Sequence, residues 1–415
     1  MIDLAAAIDL VERTAAPLPP RRQRLADARG GVLAASVVAD CDSPPFDRAM
    51  MDGFAVAATD FAAAADEIVE LEVTTDLAAG DVTTSAVRPG TCMRIMTGAP
   101  LPPGADAVVP VESAVDGTAT VHGGGRVRLH DARFRPGQHV GRQGTAFRRG
   151  SETLRAGDVL TAAAIGLAAE AGATHVVAAP RVRVAILATG SELVSCDAVP
   201  THGQTRNSNG PMLAAAVAAV AAEPVELGIV PDRPEPLRAA VAQGLGADVL
   251  VLSGGVSAGD LDLVPATFAA CGVAKVFHKV RLKPGKPVWF GILRREAAPP
   301  TLVFGLPGNP ASSLVCCELF VRPAIKILAG APRNRWHLPR VTARLVAGAK
   351  SPPDRPVYLP CRLARSGAVL EAEPLPWTGS SDLVGLATAD GLLALPASGR
   401  RHEPGEDVEV LAFER

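Results

Sequence analysis

Residues 253–262 read SGGVSAGDLD, a run that joins two ligand chemistries in one turn. Gly254 and Gly255 let backbone N–H groups approach an anion, and Ser253 and Ser257 add hydroxyls. Asp260 and Asp262 follow at once, and carboxylates repel a phosphate unless a cation lies between them. Two other turns are built alike: TGSEL at 189–193, which carries Glu192, and PGNPAS at 307–312, which carries Pro307, Asn309 and Pro310. A small-residue turn that opens a helix offers both N–H donors and partial positive charge to an anion. One such turn says little, because tight turns need glycine anyway; three argue for a phosphate-bearing ligand.

Cations come next. In RLKPGKP (281–287) Pro284 and Gly285 turn the backbone, so Lys283 and Lys286 can point into one space, with Lys279 just upstream. Two clustered ammonium groups suit an oxyanion. A solvated hairpin is the plain alternative for such a sequence. Asp232, Asp260 and Asp262 are hard oxygen donors near the expected phosphates, which suggests Mg²⁺, with the Ser257 hydroxyl as a further donor. Asp260 and Asp262 could equally sit in the first turn of the next helix, where they favour its dipole. Far upstream, DSPPFDRAMMDGFAV (42–56) holds Asp52, and RIMTGAPLPPGADAVVPVE (94–112) holds Thr97. On residue chemistry alone these read as a linker and polar turns.

The elements that must position these groups are legible in the middle of the chain. RVRVAILA (181–188), VELGIV (225–230), ADVLVL (247–252) and LVFGL (302–306) read as strands. Helices are expected at 211–223, near 235–243, after Asp260 and at 311–328. Alternation at this spacing predicts a doubly wound, mostly parallel sheet, whose ligands lie beyond the carboxyl ends of the strands. An amphipathic helix is predicted over 2–13 and another over 161–173. Short Val-, Thr- and Gly-rich pieces from about 56 to 139 predict a small β domain, and those beyond Pro332 predict another.

Bulk properties exclude several classes. The 415 residues exceed one ordinary core, so two to four domains are expected. A net charge of −2 gives no electrostatic footprint for nucleic acid. The longest apolar run, MLAAAVAAVAA from Met212, is shorter than a membrane span, and the first residues lack the basic start of a signal peptide. Seven cysteines without a CxxC pair fit a reducing cytoplasm, and the eight histidines show no zinc spacing.

Taken together, these segments resemble the molybdopterin molybdenumtransferases of molybdenum-cofactor biosynthesis, to which the E domain of gephyrin is related. The matching pieces are PPFDRAMMDGFAV, RIMTGAPLPPGADAVVPVE, ATGSELV, TRNSNGPML, SGGVSAGDLD, FHKVRLKPGKP and GLPGNPASS, in family order across nearly the whole chain. SGGVS and PGNP alone would also fit the single-domain adenylyltransferase relatives.

The resemblance implies a multidomain α/β homodimer with four domains per chain. They are a helical and linker domain (1–45 with 141–178), a β-rich insertion (46–140), the doubly wound molybdopterin-binding domain (179–331) and a β-barrel-like domain (332–415). It implies a cytoplasmic, Mg²⁺-dependent enzyme that inserts molybdenum from molybdate into adenylylated molybdopterin and releases AMP, downstream of a molybdopterin adenylyltransferase.

By position, Asp52, Thr97, Glu192, Asp232, Asp262 and Lys279 match catalytic residues, with Asp52 and Thr97 facing the cleft from the partner subunit. Asp232 and Asp262, with Ser257, match the group that holds Mg²⁺ and the phosphoanhydride; Ser253, Gly254, Gly255, Pro307, Asn309 and Pro310 match substrate-binding positions. Lys283 and Lys286, with Arg362 and Ser381 from the last domain, match the molybdate pocket.

Two departures are visible. RQGTAF places Thr145 and Ala146 where the family usually carries an acidic pair, and Arg48-Ala49 replaces the usual Asn-Ser. The missing acids leave open a non-catalytic molybdopterin-binding scaffold or a paralogue of altered activity. The retained Asp232, Asp262, Lys283 and Lys286 favour the enzyme, and the long β regions at both ends count against the adenylyltransferase.

Overall fold

A computed structural model describes residues 1–62, 67–256, 263–296 and 298–414. Ser257, Asp260 and Asp262 lie outside them. The chain forms two compact units. One comprises residues 1–35, 156–162 and 175–415; the other comprises 36–155 and 163–174.

The larger unit carries the predicted doubly wound sheet. Its strands are β1 (Arg183–Thr189), β2 (Glu223–Val230), β3 (Val249–Ser253), β4 (Ala274–His278), β5 (Trp289–Arg295) and β6 (Ala298–Leu306). Their spatial order is β2-β1-β3-β6-β5-β4. β2, β1, β3 and β6 run parallel, whereas β5 pairs antiparallel with both β6 and β4. Every residue of β3 is buried, as a central parallel strand covered on both faces requires.

The connecting helices are α1 (Asn209–Ala219), α2 (Pro234–Gly244), α3 (Leu263–Ala270) and α4 (Pro310–Cys316). α4 continues through a π-helical turn, Cys317–Val321, into the helix Arg322–Leu328. One apolar cluster gathers α1, α4 and the N-terminal helix Leu4–Thr14 on one face of the sheet, and a second gathers α2 and α3 on the other. Sequence reading did not find β4 and β5. Their residues lie between Lys- and Arg-rich turns, and only the pairing of β5 with β6 and of β4 with β5 turns them into sheet.

Beyond the sheet the chain closes a five-stranded barrel. Its strands are β7 (Arg340–Leu345), β8 (Val357–Ser366), β9 (Val369–Pro374), β10 (Gly391–Leu395) and β11 (Asp407–Ala412), in the order β7-β9-β8-β10-β11. The expected C-terminal β-barrel-like region is therefore present. Closure removes the free edges that so short a set of strands would otherwise expose.

The smaller unit is built on a five-stranded sheet of Ala107–Pro110, Gly53–Val56, Thr91–Ile95, Val69–Leu77 and Arg126–Leu129. Its core holds Phe54, Leu71 and Val109. Gly53 is needed here: a Cβ would lie 2.0 Å from the Val109 carbonyl oxygen. The helix predicted over 161–173 is observed as Ala162–Glu170.

Candidate active site

A cleft of about 1050 Å³ opens beyond the carboxyl ends of β1, β2, β3 and β6, the edge at which a doubly wound sheet binds ligands. All three small-residue turns reach it. Thr189 and Glu192 enter from the end of β1, Ser253, Gly254 and Gly255 from the end of β3, and Pro307 through Pro310 from the end of β6.

Two of these turns approach each other because they lack side chains. Gly254 has φ +104°, and a Cβ there would lie 2.2 Å from the Thr189 carbonyl oxygen; a Cβ on Gly308 would sit 3.7 Å from the Gly254 Cα. Asn209, at the start of α1, locks the pair: its Nδ2 donates to Ser253 Oγ at 2.6 Å and to the Gly308 carbonyl at 2.7 Å. Asn309 stands at the N-cap position of α4 without a side-chain capping bond, and Pro310 follows in the first turn, a position where a missing N–H loses nothing.

Charge is divided along the cleft. Asp232, just past β2, and Glu192, just past β1, supply carboxylates at one end. Both side chains are exposed, and Asp232 Oδ1 accepts a 2.6 Å hydrogen bond from Thr189 Oγ1. Lys283 and Lys286 line the other end, exposed and, among the described residues, without an ion-pair partner. Their loop is fixed on two sides. Lys283 N donates to the Pro356 carbonyl at 3.0 Å, and Tyr358 N donates back to the Lys283 carbonyl at 2.8 Å, which ties the loop to the barrel. Gly285 packs on α4, where a Cβ would lie 2.5 Å from Cys316 Sγ. Burial keeps the Cys316 thiol protonated, so it acts as packing.

The barrel supplies the wall opposite the sheet through Arg355 and the loop Trp377–Ser381, including Ser381. That loop is clamped to the start of α4: Asn309 Nδ2 donates to Ser380 Oγ at 2.7 Å, and Ala311 N donates to the Ser380 carbonyl at 3.0 Å. Asp382 fixes its far side by accepting from Thr378 N, Thr378 Oγ1 and Val384 N; these bonds hold its carboxyl below the usual range.

Among the described residues, four buried side-chain polar atoms have no hydrogen-bond partner, and three belong to this cleft: Asn209 Oδ1, Arg355 Nε and Trp377 Nε1. Leaving such a group unpaired costs about 1–3 kcal/mol. Asp354 Oδ2, at 3.6 Å from Arg355 Nε, forms an ion pair with it but is too far for a hydrogen bond. Arg355 adjoins Pro356, whose carbonyl accepts from Lys283 N, so Lys283, Lys286 and Arg355 bring cations to the same part of the cleft lining.

Other expected positions fall elsewhere. Arg362 lies exposed on β8, with Glu373 as its cross-strand neighbour, and does not line the cleft; Arg355 does. Lys279 follows β4 with φ +68°, half-buried, and does not line it either.

Asp52 and Thr97 lie together in the smaller unit. Thr97 donates from N and Oγ1 to Asp52 Oδ1 at 2.7 and 2.6 Å, which holds the Asp52 carboxyl below the usual range. In the RQGTAF turn, Thr145 Oγ1 donates to the Arg142 carbonyl and Ala146 N to the Ser43 carbonyl. The carboxylates that meet this turn are Asp42 and Asp47, bonded to Gln143, Arg149 and Arg142.

Sequence reasoning missed Asn209, Arg355 and Trp377. For Asn209 a signal existed, since two asparagines precede the Gly-Pro that opens α1. For the other two there was none, because only barrel closure carries their loops to the cleft.

A doubly wound sheet with three small-residue turns at its carboxyl edge, joined to a closed five-stranded barrel, defines a multidomain α/β protein with a cleft at the sheet's ligand-binding edge. Comparison with known proteins makes this specific. Residues 2–172 match the MoeA N-terminal region (domain I and II), residues 185–327 a probable molybdopterin binding domain, and residues 342–413 the MoeA C-terminal region (domain IV).

The chain is 36% identical over 380 residues to molybdopterin molybdenumtransferase 2 of Mycobacterium tuberculosis, covering 90% of each protein. It is 34% identical over 393 residues to the molybdopterin molybdenumtransferase of Bacillus subtilis, covering 93% of this chain and 88% of the relative. Two structures of a molybdopterin biosynthesis MoeA protein from Pyrococcus horikoshii superpose over 100% of both chains, with TM-score 0.74 at 27% and 25% identity. The chain belongs to the molybdopterin molybdenumtransferase (MoeA) family.

Proposed function

We propose that this protein inserts molybdenum from molybdate into adenylylated molybdopterin and releases AMP, as a step of molybdenum-cofactor biosynthesis. The observation that carries this reading is the division of the cleft. Lys283, Lys286 and Arg355 gather positive charge in one corner, and the Gly254–Gly308 contact lies between that corner and the carboxylates of Glu192 and Asp232. Molybdate is a tetrahedral dianion, and a corner of Lys and Arg neutralises it. The turns at Ser253–Gly255 and Pro307–Pro310 offer backbone donors to the phosphates of the second substrate.

Asp232 fits Mg²⁺. It is a hard oxygen donor, exposed toward the cleft, with one oxygen engaged by Thr189. Asp262 is the second donor assigned to it from the sequence. When bound, the ion supplies charge neutralisation on the anhydride oxygens. The residues of the chain orient the substrates around that bond: Thr189 fixes the Asp232 carboxylate, Asn209 fixes the two glycine turns, and the barrel loop fixes the oxyanion corner.

The reading extends to a cytoplasmic homodimer of four-domain chains, supplied by an upstream molybdopterin adenylyltransferase. Asp52 and Thr97 act in it from the partner subunit. Among the described residues no helix is long and apolar enough to cross a membrane.

Purified protein mixed with adenylylated molybdopterin, molybdate and Mg²⁺ releases AMP in proportion to cofactor formed. Tight binding of adenylylated molybdopterin with no AMP release favours the second reading, a non-catalytic scaffold, for which Thr145 and Ala146 are the supporting residues.

A further inference from the structure

Gly190 and Glu192 stand two residues apart in the turn that follows β1. The backbone of this turn is fixed: Gly190 N donates to the Val230 carbonyl at 3.3 Å, Leu193 N to the Gly190 carbonyl at 3.2 Å, and Thr205 N to the Glu192 carbonyl at 2.9 Å. The Glu192 side chain is what remains free to move. It is exposed, lines the cleft and accepts no hydrogen bond among the described residues.

Its carboxylate folds back over Gly190. A Cβ on Gly190 would meet Glu192 Oε1 at 2.7 Å, Oε2 at 2.8 Å and Cδ at 2.9 Å, its three nearest atoms. The φ of Gly190 lies outside the left-handed region, so its conformation does not call for glycine. The room left by the missing side chain is the room the carboxyl group fills. The second carboxylate of this end takes its place from the same turn. Thr189 Oγ1 donates to Asp232 Oδ1 at 2.6 Å, and Asp232 N donates to Ser191 Oγ at 3.4 Å. Thr189, Gly190 and Ser191 thus seat both acids of the cleft.

We propose that Gly190 is a positioning residue for the reaction: its missing Cβ seats the Glu192 carboxylate against the end of β1 and so sets its placement relative to Asp232. Gly190 acts only through Glu192. The inference rests on the reading of this cleft as the site of molybdenum insertion, and it adds a residue that holds a carboxylate in place by leaving it space.

A double-mutant cycle of Gly190→Ala and Glu192→Gln, read by AMP release, tests it. The added methyl meets the far end of a flexible side chain, which swings aside, so the unfolding midpoint of Gly190→Ala should hold or rise. Each single variant should lose about tenfold in kcat/KM, and the double variant should be no slower than the slower single one, because both changes act on one group. Independent roles would multiply to a loss of about a hundredfold, and that result overturns the proposal. Turnover of Gly190→Ala equal to wild type overturns it too, as does a lowered unfolding midpoint. Molybdate affinity, measured by calorimetry, should stay within about twofold in Gly190→Ala, since the lysines line the other end; a larger loss would assign the effect to collapse of the cleft. Crystal structures of the two chains give a reading independent of activity. The wild type should keep the carboxylate over Gly190, and the variant should show it at least 3.4 Å from the new methyl, an ordinary contact. A carboxylate that lies elsewhere in the wild type, or that the methyl fails to move, overturns the proposal. A wild-type chain that releases no AMP overturns the proposed function itself, an outcome distinct from these.

Discussion

Asn309 Nδ2 donates to Ser380 Oγ at 2.7 Å, and this bond joins the turn after a sheet strand to a loop of the barrel. The two residues are 71 positions apart, so neither predicts the other. Both line the cleft, and the bond fixes the separation of its two walls. Ser380→Ala should therefore raise the KM for molybdate severalfold while moving stability by only about 0.5–1.5 kcal/mol. Steady-state kinetics beside a denaturant titration checks the split; a large stability loss with unchanged KM assigns the bond to folding.

Arg355 and Arg362 can be separated by experiment. Arg355→Ala should weaken molybdate binding by tenfold or more, because it removes a buried cleft donor. Arg362→Ala, on the exposed face of β8, should stay within twofold of wild type. Calorimetric Kd values decide, and the reverse order would return Arg362 to the site.

Asp232→Asn keeps an acceptor for Thr189 Oγ1 and removes the charge. AMP release should fall at least tenfold with the unfolding midpoint unchanged. Turnover equal to wild type would take Asp232 out of the chemistry.

Gly254→Ala places a methyl 2.2 Å from the Thr189 carbonyl oxygen at a φ of +104°. Backbone on both sides prevents relief, so a loss of about 1–3 kcal/mol is expected, together with AMP release. A urea titration reads the first quantity. Stability equal to wild type would show that the two turns separate easily.

Asp382 gives a pH dependence with a defined sign. Hydrogen bonds from Thr378 and Val384 lower its folded-state pKa, so its contribution is complete above the ordinary carboxylate range, about pH 4, and fades as the pH falls through the lowered value. Asp382→Ala should be less stable than wild type at pH 7, with the gap closing in strong acid. A gap of the same size at pH 2 would assign the loss to packing. At neutral pH the same variant should bind molybdate more weakly, since the loop Trp377–Ser381 loses its anchor.

Much of this protein was readable along the chain. The apolar strands and their intervening helices follow from period and turn chemistry, which are local properties, so Ser253, Glu192, Asp232 and Asn309 could be placed at strand ends before any coordinates. Lys283 and Lys286 were legible because proline and glycine act on adjacent residues. The tertiary structure decided which distant groups share the cleft. β4 and β5 became strands only by pairing across the sheet, and Arg355, Trp377 and Ser380 reached the site only because the barrel closed and docked its loops on α4. Pairing and closure depend on long-range burial, which leaves no periodic mark in the residues it brings together. The sequence thus determined the turns and the charges they carry, and the packing of barrel on sheet determined which of those charges face one ligand.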